Sequence, residues 1–374
     1  MSSQTNHRGI FRQQRGVTLV ELMVALVLGL VLTGGAIQIF VGNRTTYAFN
    51  EGLSRLQENG RFAVDTLNYR VRMAGYFGCL PDITVYNNLN NNTALAFDFD
   101  NGLQGFEAAG TSPGQTFAAA SSDPANGGTF APVLPAGISG NVIPGSDVIV
   151  IRNVSASSHA LVSPYNDSAQ IFADAEPTDY IEGEIGIVSD CQKASVFQIT
   201  NIDNNTGSGA FGVNMTHSMA TFTPGNSTPN WDSSQEYGAG AELLRAETWI
   251  YYVGATADGP PALFQQRLQL DAGTSTVALV AEELVEAVDT MQLLYGIDAD
   301  GDNDLDNYVT ANNVTDWTEV LTVRVGLLMR SPDEYGSEID TQEYDVNGTT
   351  FDPVDDRRVR QVFTTTIALR NRLP

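Results

Sequence analysis

The sequence predicts an α+β fold: a long hydrophobic N-terminal α-helix packed on a C-terminal β-rich globular domain with long loops. Three observations carry that prediction. "RGVTLVELMVALVLGLVLTGGAIQIF" (15–40) is apolar from Val17 onward for long enough to cross a bilayer. "GLSRLQENGRFAVDTLNYRVRMAGYFGC" (52–79) then places Leu53, Leu56, Gly60, Ala63, Leu67 and Val71 on one stripe at spacings of three and four. Later in the chain the apolar pattern alternates with period two, and strands do not alternate with helices, which disfavours a doubly wound α/β domain.

The face opposite the stripe carries Arg55, Glu58, Arg61, Asp65 and Arg72, so the helix is expected to continue beyond the apolar segment with one side covered by a sheet. Gly34, Gly35 and Gly42 separate its two parts. A helical glycine costs about 1 kcal/mol, so local melting or bending is expected there. Strands are expected at "SDVIVIRNV", "ASVFQITNI", "AETWIYYVG", "ALFQQRLQL", "MQLLYGID", "EVLTVRVGLLMRS" and "RQVFTTTIALRNR". In "LTVRVGLLM", Leu321, Val323, Val325, Leu327 and Met329 share one face and Arg324 takes the other. Residues 83–145 and 203–240 are rich in Asn, Gly, Ala, Ser and Pro and read as long surface loops or insertions.

The 374 residues carry a formal charge of -25, and Lys193 is the single lysine among 19 cationic residues. Nothing in such a chain could neutralise phosphates along a groove, so a nucleic-acid partner is excluded. Cys79 and Cys191 are the two cysteines. An even count in an exported chain points to one disulfide. It would close a loop of roughly 110 residues and stabilise by up to about 4.7 kcal/mol in the chain-entropy model. Their separation rules out a C-x-x-C redox or zinc motif.

"GTSPG" (110–114) matches the hydrolase pattern G-x-S-x-G but fails on mechanics. The residue after the serine is Pro113, which has no N–H to offer an oxyanion, and no strand is expected before it. His159 and His217 are expected in polar loops and read as solvated. "GIDADGDNDLDNY" is the strongest chemical signal: Asp298, Asp300, Asp302, Asp304 and Asp306 alternate through one short loop. Converging carboxylates at about 2.3–2.6 Å are what a hard cation such as Ca2+ requires. The loop departs from an EF-hand, with Asn303 at position six and Val309 in place of the bidentate Glu at position twelve. A solvated acidic turn is the other reading.

One residue resists the plain membrane reading. Glu21 sits five residues into the apolar run, where an acidic group costs about 2.5 kcal/mol or more near mid-membrane. A basic, acid-free leader, residues 1–16, precedes it. Cleavage at "LTGGA" would make this an ordinary secretory signal. Cleavage after Gly16 would instead leave Val17 as the new N-terminus, with Glu21 as mature residue five. "RGVTLVELMVALVLGLVL" resembles the class III leader and helix of type IV pilins and type II secretion pseudopilins. The resemblance implies cleavage between Gly16 and Val17 by a prepilin peptidase and N-methylation of Val17, although the family usually has Phe at that position. It also gives Glu21 a purpose: a carboxylate in apolar surroundings wants a cation, and the amine of an incoming subunit supplies one only in the correct register.

"QENGRFAVDTL…RVRMAGYFGC", the "DC" at Cys191, "YGIDADGDNDLDNYV…W…VRVGLLMR" and "RRVRQVFTTTIALRNRLP" resemble PilW-type minor pilins. The domain organisation implied is a leader (1–16), an N-terminal helix (17–75, with 17–41 in the membrane or filament core) and a β-rich extracytoplasmic body (76–374). The role implied is priming a type IV pilus and residing at or near its tip, in adhesion and twitching motility. The partners implied are the other minor pilins, the major pilin, the inner-membrane assembly platform and a large tip adhesin. Before assembly the chain would be a single-pass inner-membrane protein with its body in the periplasm; afterwards it would lie in the extracellular fibre. The large J-type minor pseudopilin of type II secretion is the alternative within the superfamily. A secreted binding or enzyme domain is the alternative outside it.

Overall fold

The computed structural model describes residues 16–78, 83–119, 127–165, 169–174, 179–203, 213–219, 222–257, 259–271 and 273–372. The chain divides into an N-terminal unit, residues 1–51, and a body, residues 52–374. Helix α1 (Leu19–Arg72) contributes to both. Its backbone stays helical through Gly34, Gly35 and Gly42, so the expected melting does not occur. Ala36 and Val41 adjoin these glycines, and threonine hydroxyls turn back onto the helix. Thr33 Oγ1 donates to the Gly29 carbonyl at 2.7 Å and Thr46 Oγ1 to that of Gly42 at 3.0 Å.

The body opens with β1 (Thr84–Asn87), β2 (Leu103–Ala108), β3 (Thr116–Ala118), β4 (Phe130–Ala131) and the short helix α2 (Ala136–Ser139). Next come β5 (Val148–Ala160), β6 (Gln170–Ala173), β7 (Ile185–Ser189), β8 (Lys193–Gln198), β9 (Asn201–Asp203) and β10 (Val213–Thr216). Then follow β11 (Glu242–Gly254), β12 (Ala262–Asp271), β13 (Thr276–Glu286), β14 (Val288–Ile297) and β15 (Asn307–Val309). The last are β16 (Val320–Arg330), β17 (Tyr344–Val346), β18 (Thr349–Asp352) and β19 (Arg360–Ala368). A nine-stranded sheet runs β1-β8-β7-β11-β5-β2-β4, with β12 and then β13 added beside β11. A four-stranded antiparallel sheet runs β15-β14-β16-β19. Each strand expected from the period-two runs is present; β13, whose side chains are mostly exposed, was not among them.

Both sheets meet on the buried stripe of α1. Leu56, Ala63, Leu67 and Val71 share one core with Ile149, Ile151, Trp249 and Tyr251 of the large sheet and Met291, Leu293, Val323 and Val325 of the small one. Full burial stabilises each of the larger side chains by about 1.5–3 kcal/mol. Leu53, expected in the stripe, is only half-buried, and Gly52 is buried in its stead. The reason is proximity: a methyl group on Gly52 would overlap the ring of Tyr335, and one on Gly60 would overlap the ring of Phe363 on β19.

The described residues of 83–145 and 203–240, expected as surface loops or insertions, include strands and buried aromatic side chains. The first segment supplies β2, an inner strand of the large sheet, and buries Phe97, Phe99 and Phe106. Arg152, fully buried on β5, gathers it in: its guanidinium donates to the carbonyls of Leu95 (2.7 Å) and Asn101 (2.7 Å) and to Gln104 Oε1 (3.3 Å). Burial lowers the Arg152 pKa to about 10, while Asp98 and Asp100 oppose that shift. The second segment contributes β10 and a core of Trp231, Tyr237 and Met215. Asn226 pairs with Gln198 as a strand would, accepting its N–H at 2.7 Å and donating to its carbonyl at 2.8 Å. A few aromatic residues and side-chain amides therefore replace the apolar periodicity that the composition lacks.

One carboxylate pair joins the sheets. Phe106 pairs with Val148, which sets Glu107 beside Asp147, and both are buried. Asp147 Oδ1 accepts the Ala108 N–H and Oδ2 the Leu293 N–H, each at 2.8 Å, so it ties β2 to β14. Burial, then repulsion from Glu107, pushes Asp147 well above the usual carboxylate range. Burial pushes Glu107 up to about 7, against a hydrogen bond from Ser112. Between the ordinary Glu value of 4.5 and about 7, the folded chain thus holds a proton that the unfolded chain releases. Stability from this group is fully present below the unfolded value and is lost as pH rises through the folded one. The denaturant midpoint should therefore fall between pH 5 and pH 8, and Glu107→Gln should flatten that slope. An unchanged slope in the variant would show that the pair carries no extra proton.

Candidate functional site

Helix α1 begins two residues beyond Val17. The Glu21 N–H donates to Thr18 Oγ1 at 3.3 Å, which makes Thr18 the N-cap and Glu21 the third helical residue. Thr-x-x-Glu is the capping-box spacing, and a carboxylate there favours the positive end of the helix. "TLVE" therefore starts the helix whatever else Glu21 does; the sequence carried this signal, but the membrane reading of Glu21 overshadowed it. Every described side chain from Val17 to Val41 is exposed in the chain by itself. Leu19–Val41 amounts to about 35 Å of helix at 1.5 Å per residue, enough for a hydrocarbon core of about 30 Å. Among the described residues, α1 is the one helix long and apolar enough to cross a membrane, with a window of mean hydropathy 2.3.

The aspartate loop follows β14 and winds around Asp298, which is buried. Asp298 Oδ1 accepts the N–H groups of Gly301 (2.7 Å) and Asp302 (3.2 Å), and Oδ2 accepts that of Asn303 (2.8 Å). Burial opposes its charge, yet the N–H groups prevail and hold its pKa below the usual value. Asn303 takes φ 66°, the left-handed conformation that its side chain tolerates. Asp298, Asp300 and Asp306 each bring one oxygen within 4.8 Å of the others. Asp302 and Asp304 stand outside that trio. Asp302 Oδ1 instead accepts the Asp304 N–H at 2.9 Å. The Asp302 N–H draws the Asp300 pKa down, but repulsion from Asp302, Asp306 and Asp298 leaves it above the ordinary value. The trio suits a hard cation by donor type, with carbonyls or water needed to complete six to eight oxygens.

Cys191 occupies the turn between β7 and β8 at φ 69°. Asp190 shapes that turn by accepting the N–H groups of Gln192 and Lys193, each at 3.1 Å. Cys79 lies outside the described residues. Its predecessor Gly78 abuts Ser189 at the end of β7, two residues before Cys191.

The remaining motifs resolve differently from their sequence reading. β2 does precede "GTSPG", but Ser112 spends its hydroxyl on Glu107 Oε1 at 3.2 Å and Pro113 still withholds an N–H. His159 is half-buried and lies on β5 rather than in a loop, with Nε2 3.3 Å from Asp179 Oδ2 and Nδ1 3.7 Å from Asp174 Oδ1. His217 is buried and stacks on Trp231 with ring centroids 4.3 Å apart. It follows β10 in register, so Val213, Met215 and His217 turn inward together.

Two family models match the chain. One, described as Type IV Pilus-assembly protein W, matches residues 250–371; the other, the Prokaryotic N-terminal methylation motif, matches residues 11–37. Both matches support a PilW-type pilin of the type IV pilus. Among curated proteins, none matches it. The PilW match runs from the end of β11 through β19 and so includes the four-stranded sheet that receives the helix stripe. The methylation motif covers Gly16, Val17, the Thr18 cap and Glu21. PilW is a structural family of pilus assembly, in keeping with a site made of a helix terminus rather than of reacting groups.

Proposed function

We propose that this PilW-type pilin primes assembly of a type IV pilus and stays at or near its tip, supporting adhesion and twitching motility. The observation that carries the reading is a prepilin motif whose Thr18–Glu21 cap opens an exposed apolar helix. Prepilin peptidase cuts between Gly16 and Val17 and methylates the Val17 amine. The chain waits in the inner membrane with its body in the periplasm until the assembly platform moves it into the fibre. Its partners there are other minor pilins, the major pilin and a large tip adhesin. The chain has no catalytic role. Glu21 fixes register, because its burial among apolar helices is relieved only where a neighbour's amine meets it.

In a strain lacking the native copy, Glu21→Ala should be processed and inserted at wild-type levels but depleted at least tenfold from sheared pili. Wild-type recovery in the sheared fraction would sink the register role.

Two stabilising features belong to the same reading. A Cys79–Cys191 disulfide would tie the end of α1 to the β7–β8 turn, as the packing of Gly78 on Ser189 favours. Calcium would sit among Asp298, Asp300 and Asp306. One thermal-unfolding series on the full chain in detergent tests both. Calcium at a hundredfold excess over its Kd should stabilise by about 2.7 kcal/mol, magnesium by less, and reductant should lower the Tm. Curves that coincide in EDTA and calcium would leave the loop an acidic turn, and indifference to reductant would remove the disulfide.

A further inference from the structure

The nine-stranded sheet is split. β11 pairs with β7 through Glu242–Arg245 and with β12 through Trp249–Gly254. Between those stretches, Ala246, Glu247 and Thr248 have β5 on one side and, among the described residues, no strand on the other. β12 continues past β11 as Leu268–Asp271, which among the described residues pair only with β13. A wedge therefore opens between β7 and β12, with its apex at Ala246–Thr248. Its far end is narrowed where Gly183 meets Leu270: a methyl group on Gly183 would come within 2.8 Å of that side chain. The cavity in the wedge measures about 410 Å³.

Its two faces differ in chemistry. Ile185, Leu268, Leu270 and Val277 belong to an apolar cluster and form one wall. Arg245, Glu247 and Trp249 alternate along β11 onto the other face, and Arg267 joins them as the register partner of Trp249. The acids on that side are already engaged. Glu184 lies 3.2 Å from Arg245 Nε, and Glu247 lies 3.4 Å from Arg70, whose guanidinium stacks over Trp249. Arg267 is exposed and has no ion-pair or hydrogen-bond partner among the described residues. In a chain of net charge -25, an uncompensated arginine at a break in the sheet is a local exception.

We propose that this split receives an extended polypeptide segment whose side chains alternate apolar and acidic. Its main chain would pair with the free edge of Leu268–Asp271. Strand alternation would send its apolar side chains to the leucine wall and its carboxylates to Arg267. The proposal does not depend on a position at a pilus tip.

The probes are the acidic peptide Ac-Glu-Val-Glu-Val-Glu-NH2 and its lysine counterpart Ac-Lys-Val-Lys-Val-Lys-NH2, titrated calorimetrically into the full chain in detergent. The acidic peptide should bind at least tenfold more tightly than the basic one, and hydrogen exchange should slow in Leu268–Asp271. Arg267→Glu, at an exposed position, should weaken binding at least tenfold without changing the Tm; Arg267→Lys should retain part of it. Absence of binding, equal binding of both peptides, protection elsewhere than β12, or full affinity in Arg267→Glu would overturn the proposal.

Discussion

The close approach of α1 to two sheets governs the body. Gly52, Gly60 and Ala63 leave no side chain that could hold the helix away, so the rings of Tyr335 and Phe363 come up against its backbone. Leu56, Leu67 and Val71 then fill the remaining space between strands of both sheets. Glycine inside a helix is unfavourable by propensity, and it is tolerated here because packing offsets that cost. The same helix is predominantly apolar from Leu19 to Val41, where its side chains are exposed. One continuous secondary structure thus serves two surroundings, and the sequence changes pattern where the surroundings change.

Positive charge is scarce in this protein, and its placement shows what the fold needs held. Arg152 spends its donors on backbone carbonyls and so draws residues 95–104 onto the sheet. Arg360, on β19, has a fully buried side chain and meets three aspartates: Asp289 at 2.9 Å, Asp356 at 2.8 Å and Asp340 at 3.2 Å. Those contacts fasten the segment between β16 and β19, and Arg330 adds a second bond to Asp289 at 3.1 Å. Breaking a buried pair of this kind leaves a charge uncompensated, commonly at about 3–5 kcal/mol. In so acidic a chain these arginines act as internal ties rather than as a surface for anionic polymers.

The long apolar run, the half-buried helix stripe and the C-terminal strands were legible because periodicity reports burial directly. The N-terminal methylation motif was legible because a carboxylate in an apolar run demands an explanation. The two polar segments were not. Their core rests on isolated aromatic residues and on side-chain amides such as Gln198 and Asn226, which leave no period to read. His217 was misread for the same reason, since inward alternation over Val213, Met215 and His217 is short and set in polar text. The aspartate loop was legible as a cluster but not as a geometry. Which carboxylates converge depends on the left-handed turns at Gly301 and Asn303 and on Asp298 collecting N–H groups.

The most direct test of this account is a double-mutant cycle at the helix seam, read by chemical unfolding of the full chain in detergent. Gly60→Val should cost about 1–3 kcal/mol by overpacking, and Phe363→Ala about 3–5 kcal/mol by loss of the ring. Together they should cost clearly less than their sum, because the valine occupies the space the ring vacates. A neutral Gly60→Val, or strict additivity of the pair, would contradict the claim that the body is built on the close approach of this helix.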